Sequence, residues 1–160
     1  MLVKKRYLSN ADVQAYVGNI TRHLQKQYYK IGCVVGLTRG GLPPATMLSH
    51  YFDVPLFTLD VSYRDRFTSD NEENQADVVN QALNLVHDIG GMVLVMDDIN
   101  DSGQTFEKCA ELFNSDRVKY AALLEKSTSR FDCDFYGDII YDEACNDWIV
   151  FPWEDWWHRS

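Results

Sequence analysis

Met92–Met96 is five apolar residues in a row, and Gly90 and Gly91 break the chain directly before it. A short run with no polar alternation suits a strand buried on both faces. Such strands belong to parallel sheets covered by helices on either side. Ile31–Leu37 and Val118–Leu124 read as two further strands, with Val54–Val61 and the shorter Ile139–Tyr141 beside them. Helical patterns lie between. Ser9 and Asn10 can cap a helix whose Val13, Val17, Ile20 and Leu24 form one stripe. Pro43 and Pro44 suit the first turn of a helix running to about Tyr51. Phe106, Cys109, Ala110 and Phe113 have helical spacing over Thr105–Phe113. Strands alternating with helices predict an α/β fold with a mostly parallel central sheet flanked by helices. Ala76–Asp88 fits a helix through Val78, Val79, Ala82, Leu83 and Val86, but also a strand through Leu83, Leu85 and His87. Both stay open.

Ligands of such sheets bind at the carboxyl ends of the strands. Three such ends carry chemistry here. After Leu37 comes the Gly-rich turn Thr38–Leu42, with Arg39, Gly40 and Gly41. After Met96 come the adjacent carboxylates Asp97 and Asp98, a third at Asp101, and then Ser102, Gly103, Gln104 and Thr105 at the start of a helix. Backbone N–H groups and the helix dipole favour an anion at that point, and the two hydroxyls add donors, so a phosphate fits. Carboxylates beside it would accept hydrogen bonds from sugar hydroxyls or hold Mg²⁺ through oxygen. The plain alternative for an Asp-Asp pair alone is an acidic turn capping a helix. After Leu124 comes Lys126.

The net charge of -9, with no block of Lys and Arg, argues against a nucleic-acid footprint. An anionic substrate must then be held by local devices: backbone N–H groups, a metal ion and a few placed cations.

The string from Met92 to Thr105 resembles the 5-phosphoribosyl 1-diphosphate (PRPP) motif of type I phosphoribosyltransferases. That motif is a hydrophobic run, two acidic residues, two variable ones, then Asp-Thr-Gly-x-Thr, and Ser102 here keeps the hydroxyl of the usual Thr. The resemblance implies that Asp97 and Asp98 meet the ribose hydroxyls and the metal, with Asp98 the first choice of Mg²⁺ ligand and Asp97 the second. It further implies that Asp101, Ser102, Gly103, Gln104 and Thr105 cradle the 5-phosphate. Arg39, Gly40 and Gly41 resemble the family's pyrophosphate loop, which commonly has a cis peptide at the pair matching Arg39 and Gly40. Ser62 and Tyr63 resemble the signature of the mobile loop in 6-oxopurine enzymes and head the polar stretch Ser62–Gln75. Arg64 and Arg66 there could reach pyrophosphate or stay solvated.

The segment from Trp148 to Trp153 resembles the end of short bacterial xanthine-guanine phosphoribosyltransferases. By that resemblance Trp148 stacks on the purine, backbone groups around Ile149 read its edge, and Lys126 donates to the exocyclic O6. Stacking suits any flat base, whereas a lysine donor selects a 6-oxo group over a 6-amino group. Trp156 and Trp157 suit packing on the core or on another subunit.

The whole pattern implies a single type I phosphoribosyltransferase-like domain over 1–160, with a mobile loop at about 62–80 and a small C-terminal hood at about 126–160. It implies a Mg²⁺-dependent transferase of purine salvage. PRPP and a purine base would enter, pyrophosphate and a nucleoside monophosphate would leave, and Asp101 would be the general base for the purine N7 proton. Guanine, xanthine and hypoxanthine all remain open as substrates, since Val150 and Phe151 replace residues often polar in the family. A phosphoribosyltransferase for another base, or a non-catalytic PRPP-binding regulator of the same fold, is the rival reading. None of Cys33, Cys109, Cys133 and Cys145 forms a Cys-x-x-Cys pair, which suits free thiols in a reducing compartment. No run is long enough to span a membrane. A cytoplasmic homo-oligomer is expected.

Overall fold

The computed structural model describes residues 2–61, 71–144 and 146–158. Its centre is a five-stranded sheet, wholly parallel, in the order β3-β2-β4-β5-β6. The strands are β2 (Ile31–Leu37), β3 (Leu56–Leu59), β4 (Met92–Asn100), β5 (Val118–Lys126) and β6 (Phe135–Ile140). Helices α1 (Asn10–Gln27), α2 (Leu42–Phe52), α3 (Asn71–Ile89) and α4 (Gln104–Phe113) cover it. The expected α/β architecture is therefore present.

Side-chain alternation along the strands builds two cores. Val34, Leu94, Met96 and Leu123 pack with the stripe of α1 and with Ala45 and Leu48 of α2. Cys33, Val35, Val93, Val95 and Ala122 point the other way, towards α3 and α4. Residues 93–96 of β4 are buried on both faces, which is why the sequence there shows an unbroken apolar run rather than a period of two. The α1 stripe is buried as its spacing requires. A capping box fixes the start of that helix: Asp12 N donates to Ser9 Oγ at 3.0 Å, and Ser9 N donates to Asp12 Oδ2 at 2.8 Å.

Several boundaries differ from the sequence expectation. Residues 76–88 are helical, and α3 begins at Asn71, inside the stretch read as a polar loop. Its first turns are largely exposed, so they need no apolar period. β4 continues beyond the apolar run Met92–Met96 through Asp97 and Asp98, because pairing with β5 outweighs the poor strand preference of Asp. β6 begins at Phe135, earlier than Ile139, and lies in the main sheet rather than in the hood.

The hood also takes a strand from the other end of the chain. β1 (Lys5–Tyr7) pairs in parallel with β7 (Trp148–Val150). Leu8 N closes the contact by donating to the Val150 carbonyl at 2.9 Å. Three exposed residues leave no sequence signal for β1.

Helix α1 crosses the sheet edge at Gly137. A Cβ there would stand 2.6 Å from the Leu123 carbonyl and closer still to Tyr16 of α1. Asn19 Nδ2 donates to the Gly137 carbonyl at 2.9 Å across the same crossing. Gly137→Ala is expected to lower the unfolding free energy by about 1–3 kcal/mol, read from urea denaturation curves; unchanged stability would show that α1 can move away freely.

Candidate active site

One cleft of about 400 Å³ opens at the carboxyl ends of β2, β4 and β5, under the hood. Gly40, Asp97, Asp98, Asp101, Ser102, Gln104, Thr105, Lys126, Trp148 and Ile149 line it. Ten residues singled out in the sequence, drawn from positions 40 to 149, are thus brought together. Thr38, Asp147, Phe151 and Glu154 line it too. Thr38 and Phe151 belong to segments already singled out in the sequence, whereas Asp147 and Glu154 were given no role there because an isolated acid looks like ordinary surface.

The acidic pair sits at the end of β4. Asp97 Oδ1 accepts from Asp98 N at 2.9 Å, and Asp98 Oδ1 accepts from Ile99 N at 2.8 Å. Burial pushes the Asp97 carboxyl up to about 6. It pushes Asp98 up as well, and the neighbouring Asp97 charge pushes in the same direction. Two carboxylates in such a place are ready to be neutralised by a cation.

The turn after β2 lies against them. A Cβ on Gly40 would come within 2.5 Å of Asp98 Cγ, so only glycine lets this turn approach the carboxylate. Gly41 is buried, does not line the cleft, and donates its N–H to the Leu37 carbonyl at 2.9 Å. That hydrogen bond ties the turn back to the end of β2. Arg39 is exposed and lies outside the cleft lining. The cis peptide is Thr38–Arg39, one bond earlier than expected.

The turn after β4 ends in Gly103 at φ 94°, a conformation favouring glycine, and α4 starts at the next residue. Ser102, Gln104 and Thr105 at the start of that helix line the cleft, and Gln104 N donates to Ser102 Oγ at 3.3 Å. Across from them Lys126 Nζ lies 2.9 Å from Asp101 Oδ1, the lysine buried and the aspartate exposed. Trp148 is 53% exposed on β7, with Ile149 buried beside it. Ser62 and Tyr63, with Arg64 and Arg66, lie outside the described residues.

A family model described as the phosphoribosyl transferase domain matches residues 5–155. The chain belongs to the phosphoribosyltransferase family. A xanthine-guanine phosphoribosyltransferase of Cereibacter sphaeroides is 31% identical over 121 residues, which span 76% of this chain and 68% of that protein. Among solved structures, a purine phosphoribosyltransferase from Pyrococcus horikoshii superposes with a TM-score of 0.68 at 26% identity, covering 95% of each chain. The xanthine-guanine-hypoxanthine phosphoribosyltransferase of Helicobacter pylori shares the fold, with a TM-score of 0.64 at 17% identity over 96% of each chain. Phosphoribosyltransferases are glycosyltransferases, and the cleft at the strand ends is where this fold places its ligands.

Among the described residues no helix is long and apolar enough to cross a membrane. Cys33, Cys109 and Cys133 are buried free thiols, and burial pushes the Cys33 thiol up to about 12.

The raised Asp97 carboxyl has a stability consequence. Folding takes up a proton there, so the ligand-free protein loses stability as pH rises from about 4 through about 6, each pKa unit being worth about 1.4 kcal/mol. In EDTA, Asp97→Asn is expected to melt above the parent at pH 8, with the gap closing at pH 4. A lower melting point at pH 8 would mean that the carboxylate is not penalised by its surroundings.

Proposed function

We propose that this protein transfers the ribose 5-phosphate unit of PRPP to a 6-oxopurine in purine salvage, releasing pyrophosphate and forming a nucleoside monophosphate. The observation that carries the reading is the Lys126–Asp101 pair at 2.9 Å beside Trp148. A 6-oxopurine presents an acceptor, O6, next to a donor, the protonated N7. An ammonium beside a carboxylate is the complement of that edge. A 6-aminopurine would instead turn a donor towards Lys126. The half-exposed Trp148 offers a face for stacking. The relatives named above as acting on xanthine, guanine or other purines support the same choice.

Each remaining residue then has a task. Asp97 and Asp98 accept hydrogen bonds from the ribose hydroxyls. The hydroxyls of Ser102 and Thr105, with the N–H groups at the start of α4, hold the 5-phosphate. Arg39, mobile enough as an exposed side chain to fold over the turn, meets pyrophosphate beside Gly40, while Gly41 keeps the turn close to β4. Ser62 and Tyr63 belong to the same subsite by sequence. Lys126 fixes O6, and Asp101 takes the N7 proton as a ring nitrogen attacks C1 and the bond to pyrophosphate breaks.

The donor set suits Mg²⁺. Among the described residues no cluster of three or more His, Cys, Asp and Glu could hold a metal by itself. Mg²⁺ commonly takes one or two carboxylates, keeps several waters and adds substrate phosphates. Asp98, or Asp97 beside it, would hold the ion, and their burial without a cation fits that task. When bound it would neutralise the departing pyrophosphate.

A cytoplasmic homo-oligomer completes the reading. Trp156 and Trp157 remain exposed, in keeping with a tail that packs on another copy.

The deciding experiment offers guanine, xanthine, hypoxanthine, adenine, uracil and orotate separately with PRPP and Mg²⁺. Nucleotide is expected from the 6-oxopurines alone. Nucleotide from none of them, with PRPP still bound, would point to the regulator. Asp101→Asn is expected to lose roughly 10²–10⁴-fold in kcat while still binding PRPP; near-parent turnover would remove Asp101 as the base. Trp148→Ala is expected to raise the purine KM roughly tenfold with the PRPP KM little changed, and an unchanged purine KM would remove the stacking role.

A further inference from the structure

Immediately behind the cleft lies a buried polar pair that does not line it. Asn100 ends β4, Glu125 is the penultimate residue of β5, and the two are register partners across the parallel ladder. They are 2% and 7% exposed. Asn100 Nδ2 donates to Glu125 Oε1 at 3.0 Å and to the Phe131 carbonyl at 2.5 Å. Glu125 Oε1 also accepts from Cys133 N at 2.7 Å. Ser129 Oγ lies 3.1 Å from Asn100 Oδ1, and Phe131 N donates to that same hydroxyl oxygen at 3.2 Å. Two buried side chains thus anchor the connection between β5 and β6 at three points.

That connection is the support on which the phosphate turn rests. Arg130 N donates to the Ser102 carbonyl at 3.2 Å, and Arg130 Nε pairs with Glu107 of α4 at 3.0 Å. Gly103 lies so close that a Cβ would stand 2.8 Å from Phe131 N. The chain also couples the pair directly to the cleft: Asn100 precedes Asp101, and Glu125 precedes Lys126.

We infer that Asn100 and Glu125 are positioning residues, a buried bracket that holds the connection between β5 and β6 against the turn at 101–105 and so sets the geometry of the phosphate subsite. The inference rests on the PRPP reading of that turn. Placing polar groups here is costly unless every partner is in position, and a binding turn displaced by even an ångström loses much of its effect. An apolar pair would fill the same space but could not fix the Phe131 carbonyl and the Cys133 N–H.

The test is isothermal titration of PRPP with Mg²⁺ into the full-length parent, Glu125→Leu, Glu125→Gln and Ser129→Ala, with thermal melting of each. Glu125→Leu removes the acceptor and is expected to weaken PRPP binding roughly tenfold or more, whereas Glu125→Gln keeps an acceptor oxygen and stays within about threefold. Ser129→Ala cuts one arm at a half-buried residue. It is expected to weaken PRPP about fivefold with near-parent melting, and it decides the matter if Glu125→Leu does not fold. Variants that melt lower yet bind PRPP like the parent would reduce the bracket to a purely structural role and overturn the inference alone. A parent that binds no PRPP would overturn the proposed function and the inference together.

Discussion

The cleft depends on the parallel pairing of β4 with β5. That ladder runs from Val93 opposite Val118 to Asn100 opposite Glu125 without a shift in register. Because side chains alternate, a slip of one residue would turn the two acids and every core side chain of β4 to the wrong faces. The apolar stretch at residues 93–96 anchors β4 in both cores, and the two acids follow it directly. The carboxylates are therefore positioned by valines and leucines that never touch a ligand.

The same pairing solves an electrostatic problem. A chain of net charge -9 is a poor long-range attractor for a polyanion such as PRPP. What the cleft offers is local: the start of α4, the turn before α2, a single buried ammonium at Lys126, and a carboxylate pair suited to a divalent ion. In the proposed reading, Asp97 and Asp98, two of the acids that make the protein negative overall, recruit positive charge to the diphosphate. The same reading gives selectivity to the hood, whose parallel β1–β7 pair brings Trp148 and Ile149 to the cleft.

Much of this was legible in the sequence, because the fold's strongest elements are also its most biased stretches. The unbroken apolar runs gave the parallel strands, and the stripe at Val13, Val17, Ile20 and Leu24 gave α1. The string from Asp97 to Thr105 supplies much of the cleft lining from one contiguous segment. Features built from non-local contacts were not legible. β1 is three exposed residues that become a strand only through Trp148–Val150. The polar start of α3 shows no period, since water covers it. Asn100 and Glu125 look like any polar residues until their register is known. The Lys126–Asp101 pairing joins positions separated by a helix and a strand, which no spacing rule connects.

The turn after β2 has no room for a side chain at Gly40 because the Asp98 carboxylate fills that space. Two positions 58 residues apart in the sequence thus form a single steric unit. A side chain at the first collides unless the carboxylate at the second gives way. A side chain can enter at position 40 only together with a change at position 98. Anyone redesigning this cleft would have to treat the two positions as one variable.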